Sequence, residues 1–339
     1  MKVLRCLQIS FIYIGAIIGA GFATGREVML YFGDSGILSG VVAGLLMGAL
    51  CGLFLLSAKS YRRLKHSQRK SVRALFAIIK SMLWLCTLVS FICMVSGCEE
   101  IITSAYGIKN VGLWTGIFVS ALGVCEMSVM RKLNAVIVPM IMVLLLILSA
   151  RSNFFVDAGF APSKVLGYCG MNIMMGGYII AEQEESFSGK QILFITCVTA
   201  VFFAISIALV YSVSSEFKNF SMPIFEFSKL HNMKSVSGLI IYLAIFSTLI
   251  GCAKLICQEN AEVKISGVFS AGMLIVFTLL ALKFDFATLV DYCYPIIGYV
   301  GIGYTAFTIL LPIVLSIVDG KERKEHRHRK ATPRVEERS

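Results

Sequence analysis

Ten long apolar runs, at 7–32, 36–58, 74–97, 111–130, 134–150, 165–181, 191–213, 236–257, 264–282 and 292–318, decide what this chain can fold into. One bilayer crossing takes about 20 apolar residues, so ten of them use roughly 200 of the 339 positions. Only short loops and a tail remain, too little for a separate extramembrane domain. Composition agrees: 57% of residues are hydrophobic, 15% are charged and the mean hydropathy is +0.82, whereas soluble domains carry about 25% charge. The predicted fold is all-α and integral to the membrane, a single domain of ten transmembrane helices over 1–318, with 319–339 as a disordered basic tail. The first run is too long for a cleaved leader and is followed at once by a second, after Gly33, Asp34 and Ser35.

The net charge of +11 belongs to the membrane surface rather than to a nucleic-acid site, because the basic residues sit in loops beside apolar runs. Alternate loops separate them. Lys2, Arg5, the stretch from Lys59 to Arg73, Arg131, Lys132, Lys190, Lys264 and the tail hold 21 Lys and Arg on one side, against seven on the other. Positive loops stay inside, so both termini are expected in the cytoplasm. The tail from Lys321 to Lys330 is a solvated run suited to anionic lipid, at about 1 kcal/mol per basic residue near the surface. The eleven Cys lie mostly within apolar runs and form neither a CxxC nor a Cys/His pattern, so no metal centre is expected from them.

Glycine is concentrated where a helix should be most regular. Gly15, Gly19, Gly21 and Gly25 fall in the middle of the first run, and each costs a helix interior about 1 kcal/mol relative to Ala. A break near Gly19–Gly25 is predicted, and open backbone persists at membrane depth only where protein or a watery cavity surrounds it. Close packing through Gly15 and Gly19 explains Gly21, Thr24 and Gly25 less well. The sixth run repeats the pattern with Gly167, Gly170, Gly176 and Gly177 around Tyr168 and Asn172. Ten runs divide as five plus five, about 7–150 and 165–318. An odd number of crossings starts the second half on the opposite side, giving an inverted repeat. Two glycine-interrupted segments at equivalent positions are the sequence mark of a secondary transporter's central site.

The candidate substrate contacts are therefore Gly19, Ala20, Gly21, Phe22, Thr24, Gly25 and Glu27 on the first run, Ser90 on the third, and Tyr168 and Asn172 on the sixth. Glu27 reads either as half of an outer-edge pair with Arg26 or as an ionisable group on the pathway, since intramembrane carboxylates mark function. Ser90 shares a face with Cys93 and Gly97, a spacing that also suits small-residue packing. On the eighth run, Ala244, Ser247 and Thr248 stand at i, i+3 and i+4 and could offer a carbonyl and two hydroxyls to a small hard cation. The same hydroxyls also suit hydrogen bonds to their own helix. Pro139, and Pro295 with Gly298, Gly301 and Gly303, suggest bends in the fifth and tenth runs.

Four segments, from Gly19 to Glu27, from Tyr168 to Asn172, Met222-Pro223, and from Ala244 to Thr248, together resemble the YkvI-type bacterial membrane proteins, over residues 5 to about 318. That family is similar to the amino acid, polyamine and organocation transporters of LeuT-like fold. The resemblance implies broken helices one and six, an amino-acid-like cargo and a sodium site made by Gly15 and Ile18 carbonyls with Ala244, Ser247 and Thr248. The position matching the Asn of a second sodium site is Phe22, so that site is expected to be absent. Two functions follow as expectations: a secondary transporter of a small solute, sodium-coupled, or a ligand-sensing subunit on the same scaffold. No HExxH, nucleophile elbow or paired intramembrane carboxylates point to an enzyme.

Overall fold

The computed structural model describes residues 2–65, 70–123, 128–152, 159–181 and 187–331, with backbone alone at 2, 20, 63–65, 71, 128–135, 175 and 311–331. The described residues form helices and connecting loops without strands. The first apolar run is divided in three, α1 (Lys2–Ile17), α2 (Ala20–Thr24) and α3 (Arg26–Phe32). There follow α4 (Ile37–Lys65), α5 (Lys70–Tyr106), α6 (Val111–Leu122), α7 (Ser128–Ser149), α8 (Pro162–Ala181) and α9 (Gly189–Ser214). After a short 3₁₀ turn, Ser215–Phe217, come α10 (Pro223–Leu230), α11 (Lys234–Glu262), α12 (Gly267–Ala281) and α13 (Phe286–Ala331). Among the described residues, five helices are long and apolar enough to cross a membrane, within α4, α5, α9, α11 and α13, and four shorter apolar helices accompany them. Their outer faces carry bare apolar side chains such as Trp114, Val268 and Tyr292.

Small residues let these helices approach closely. Gly44, Gly48 and Gly52 of α4 face Ala204, Ala200 and Thr196 of α9, where a Cβ would collide. The numbers rise on one helix as they fall on the other, so the pair is antiparallel. In α1, the Tyr13 hydroxyl donates to the Met47 carbonyl of α4 at 3.0 Å.

Two expected bends take a different form. The α8 helix is continuous through Gly167, Gly170, Gly176 and Gly177, and α13 is continuous through Pro295 and Gly298. Their glycines serve packing instead: Gly167 and Gly170 lie against Gly298 and Gly301, Gly176 against Tyr13 and Ile17, and Gly177 against Phe54. A close neighbour along each of these positions keeps the backbone helical, so the break predicted in the sixth run is absent from 165–181; residues 182–186 lie outside the described ones. At the chain's end, α13 runs on to Ala331 where a disordered tail was expected from 319. Lys, Glu and Arg are good helix formers and extend it. Residues 332–339 lie outside the described ones, as does Glu126.

Candidate functional site

The first run is interrupted as helix between Ile17 and Ala20. The Ile18 amide still bonds the Ile14 carbonyl, but the Gly19 amide turns to Ile17, and regular helix resumes at Ala20. A second interruption follows at Gly25, whose φ of 79° lies in the left-handed region. Only glycine adopts this without strain, and a Cβ there would also strike Ser214 Oγ. Thr24 closes the turn, donating to the Gly21 carbonyl at 3.1 Å and accepting from the Arg26 amide at 3.3 Å.

Gly25 separates the fates of the two charged residues after it, which do not pair with each other at an outer edge. Arg26 points one way: Nε donates to Asp291 Oδ1 of α13 at 3.0 Å, a second nitrogen pairs with Oδ2, and Nη1 donates to the Lys218 and Phe220 carbonyls at 3.1 Å each. Glu27 turns inward and is 4% exposed. Its Oε1 accepts from Asn172 Nδ2 at 3.0 Å, and Asn172 donates also to the Tyr168 carbonyl at 3.1 Å. Gly21 is the residue that leaves room for the carboxyl, since a Cβ there would collide with Oε2. The buried Tyr168 hydroxyl neighbours the same carboxyl. Tyr31 packs its ring edge-on to Tyr168, centroids 5.6 Å apart, and donates to the Tyr294 carbonyl at 3.0 Å.

A cavity of about 70 Å³ opens on this carboxyl. It is walled by Ala16, Ile17, Gly19 and Gly21 at the break, by Met171, Asn172 and Met174 on α8, by Thr248 on α11, and by Tyr294 and Ile297 on α13. Along α5 its wall is Leu83, Cys86, Thr87, Ser90 and Met94, a stripe roughly 16 Å long at 1.5 Å per residue. The predicted Gly19, Gly21, Glu27, Ser90, Asn172 and Thr248 thus meet around one space. Phe22, Thr24, Gly25 and Tyr168 are buried behind it, and Ala20 contributes the first backbone position of α2. Cys93 and Gly97 turn away from Ser90: Cys93 is fully buried and Gly97 packs on Phe286.

The proposed ion ligands lie on neighbouring elements. A Cβ on Gly19 would sit 2.6 Å from Thr248 Oγ1, which seats the α11 stripe directly on the break. Ser247 and Thr248 both donate to the Ala244 carbonyl, at 3.0 and 3.1 Å. Their oxygens keep lone pairs for a cation, whereas that carbonyl already accepts twice. Gly15 and Ile18 are buried on the α1 side of the break.

Polar cross-links lie beyond each end of the cavity. Past Glu27 come Arg26–Asp291 and, further out, Lys218–Asp34. Lys218 holds the Asp34 carboxyl below its ordinary range by hydrogen bond and charge. About one turn below Leu83, Lys80 pairs with Glu259 at 3.3 Å and with Glu262. Glu259 also accepts from the Tyr178 hydroxyl of α8 at 3.0 Å, and Trp84 donates to Asn260 at 3.0 Å. Lys80 is therefore an inter-helix cross-link. Glu99 accepts the Asn110 and Gly112 amides at 2.8 Å and fixes the loop before α6.

No protein-family model matches this chain, and no curated protein sequence is similar to it. Solved structures are. Mhp1, a nucleobase-cation-symport-1 family transporter in a closed conformation with bromovinylhydantoin bound, superposes with a TM-score of 0.54 at 14% identity, covering 90% of this chain and 77% of Mhp1. A mutant manganese transporter of Eremococcus coleocola superposes with a TM-score of 0.51 at 10% identity, covering 91% of this chain and 77% of the transporter. What these likenesses establish is the fold, that of an all-helical, multi-pass membrane protein of LeuT-like architecture.

Proposed function

We propose that this chain is a secondary active transporter that carries a small organic solute by alternating access, built as ten crossings in two inverted halves and related to the YkvI-type proteins. The observation that carries this reading is the interrupted stretch 18–25, lying on a buried cavity that also holds an ionisable side chain. Open backbone at membrane depth has a use when it lines a space for cargo. Helix pairing supports the inverted halves. A two-fold axis through the molecule's middle brings equivalent elements together, and α1 touches α8, α4 touches α9, α5 touches α11 and α6 touches α12. The α4/α9 pair is antiparallel, as is α5/α11, where Tyr106 reaches Ser235 while Lys80 reaches Glu262.

The resemblance stated above supplies an amino-acid-like solute and a sodium ion held by Gly15, Ile18, Ala244, Ser247 and Thr248. Sodium would bias the equilibrium by binding one state more tightly than the other. The test is purified protein in liposomes, screened for accumulation of radiolabelled solutes with and without a sodium gradient. Saturable accumulation is expected. Binding without accumulation would instead make the chain a ligand sensor on a transporter scaffold. The Ser247→Ala/Thr248→Ala variant is expected to lose sodium-dependent thermal stabilisation; an unchanged shift would remove the ion site.

A further inference from the structure

We propose that Glu27 is a shared seat for a proton and the cargo, so that the chain exchanges a small organic monocation against a proton. This rests on the transporter reading, and sets a proton and a monocation in place of the sodium ion and the amino-acid-like solute that the resemblance supplies. Among the residues that line the cavity, Glu27 is the one with a formally charged side chain. Among the described residues it has no basic partner there. Arg26, its neighbour in the chain, is spent on Asp291 and two carbonyls, and the donors beside the carboxyl, Asn172 at Oε1 and the Tyr168 hydroxyl, are both neutral. An ionised carboxylate so buried is costly unless something cancels its charge. Either a proton bound to the carboxyl or a cation in the cavity does so.

The remaining groups on every side are suited to that exchange. Tyr31 faces the carboxyl from α3, Tyr168 from α8 and Tyr294 from α13, with the thiols of Cys93, Cys252 and Cys293 behind Tyr294 and that of Cys86 on the α5 wall. Aromatic faces and the thioethers of Met94, Met171 and Met174 accept an organic cation readily. A zwitterion would need a second seat for its carboxylate, and among the described residues no lysine, arginine or histidine lines the space. Room for roughly five to seven water-sized positions, at 10–15 Å³ each, keeps the cargo small. The step balances without a further reactant: the cation enters, Glu27-COOH gives up its proton to the solution, and the carboxylate pairs with the cation. On release the proton returns. Both loaded forms of the site carry the same charge, so the exchange is electroneutral.

The test uses permanently charged probes that do not cross lipid as a neutral base, methylguanidinium and tetramethylammonium, against alanine and propionate. Purified protein is assayed for thermal stabilisation from pH 5 to 9, and in liposomes containing a trapped pH dye. The expected result is that a cation stabilises the protein, that its affinity falls about tenfold per pH unit on the acid side of the Glu27 titration, and that a cation gradient drives opposite proton movement. Glu27→Gln should abolish all three effects, and Glu27→Asp should restore the pH competition at lower affinity. Tighter binding of alanine or propionate, cation binding indifferent to pH, or full cation binding by Glu27→Gln would overturn the proposal while leaving transport standing. Competitive binding with no flux of either ion would overturn the transporter reading, and the exchange with it, but leave the shared seat in place.

Discussion

Gly25 decides where Glu27 points, and its substitution separates stability from recognition. The left-handed φ of 79° penalises any side chain, by roughly 1–2 kcal/mol, and Ser214 Oγ occupies the space a methyl would need. Gly25→Ala is therefore expected to lower the melting temperature in detergent and to weaken ligand stabilisation, because the turn that aims Glu27 is displaced. A variant that melts like the parent would show that the turn relaxes freely. The glycines and Glu27 were legible in the sequence because they violate the rules of an apolar helix. The partner of Glu27 was not, since nothing local joins positions 27 and 172. On the α5 wall Ser90 was legible, whereas Leu83, Cys86, Thr87 and Met94 were not. Leu83, Thr87, Ser90 and Met94 follow a helical stripe, but in a helix apolar on every side such a stripe has no polar contrast to reveal it.

At the scale of elements, one glycine pattern is used in two ways, and neighbours decide which. In the first run, glycine sits where Thr248, Glu27 and Ser214 press on the backbone from different elements, and the helix is interrupted. In α8 and α13, Gly167 and Gly170 face Gly298 and Gly301 across a seam, and both helices stay whole. Composition is the same in both cases, so the sequence could not tell a break from a seam. Gly301→Ala pushes a methyl onto the Gly170 carbonyl, and overpacking of this kind costs about 1–3 kcal/mol. Gly303→Ala, two residues on with nothing within 4 Å, should be neutral or stabilising by about 0.5–1 kcal/mol. Thermal denaturation of the two variants side by side checks the seam, and equal melting would refute it. The start of α13 gives a second prediction. Asp285 accepts the Thr288 amide at 2.8 Å, and that hydrogen bond lowers its pKa below the ordinary 3.8. A carboxyl with a lowered folded pKa contributes fully above its ordinary value and loses that contribution as pH falls through the lowered one. Asp285→Ala should cost about 1 kcal/mol at neutral pH, with the gap to the parent closing below about pH 4.

For the whole molecule, the ten apolar runs fixed the outline because each has to satisfy its backbone within a helix. The way the helices cross depends on contacts between distant residues, and those contacts place one cavity between two sets of polar cross-links. Arg26–Asp291 ties α3 to α13 beyond Glu27, while Lys80–Glu259/Glu262 and Tyr178–Glu259 tie α5, α8 and α11 beyond Leu83. If the molecule alternates, the two sets cannot both open in one state, and loosening either shifts the population toward the conformation that lacks it. Cys86 on the α5 wall reports the result, being partly buried and facing the cavity. Site-resolved mass spectrometry after treatment with a membrane-impermeant thiol reagent is expected to show faster Cys86 labelling in Arg26→Ala when the reagent is on the Arg26 side of sealed vesicles. In Lys80→Ala the gain should come from the other side. A pair at a protein surface contributes up to about 1 kcal/mol, and these pairs are more buried than that, with Arg26 13% and Glu259 9% exposed, so each substitution should move labelling by more than about fivefold, with the double variant between the two singles. Equal gains from both sides in either single variant would mean that the cavity leaks rather than alternates.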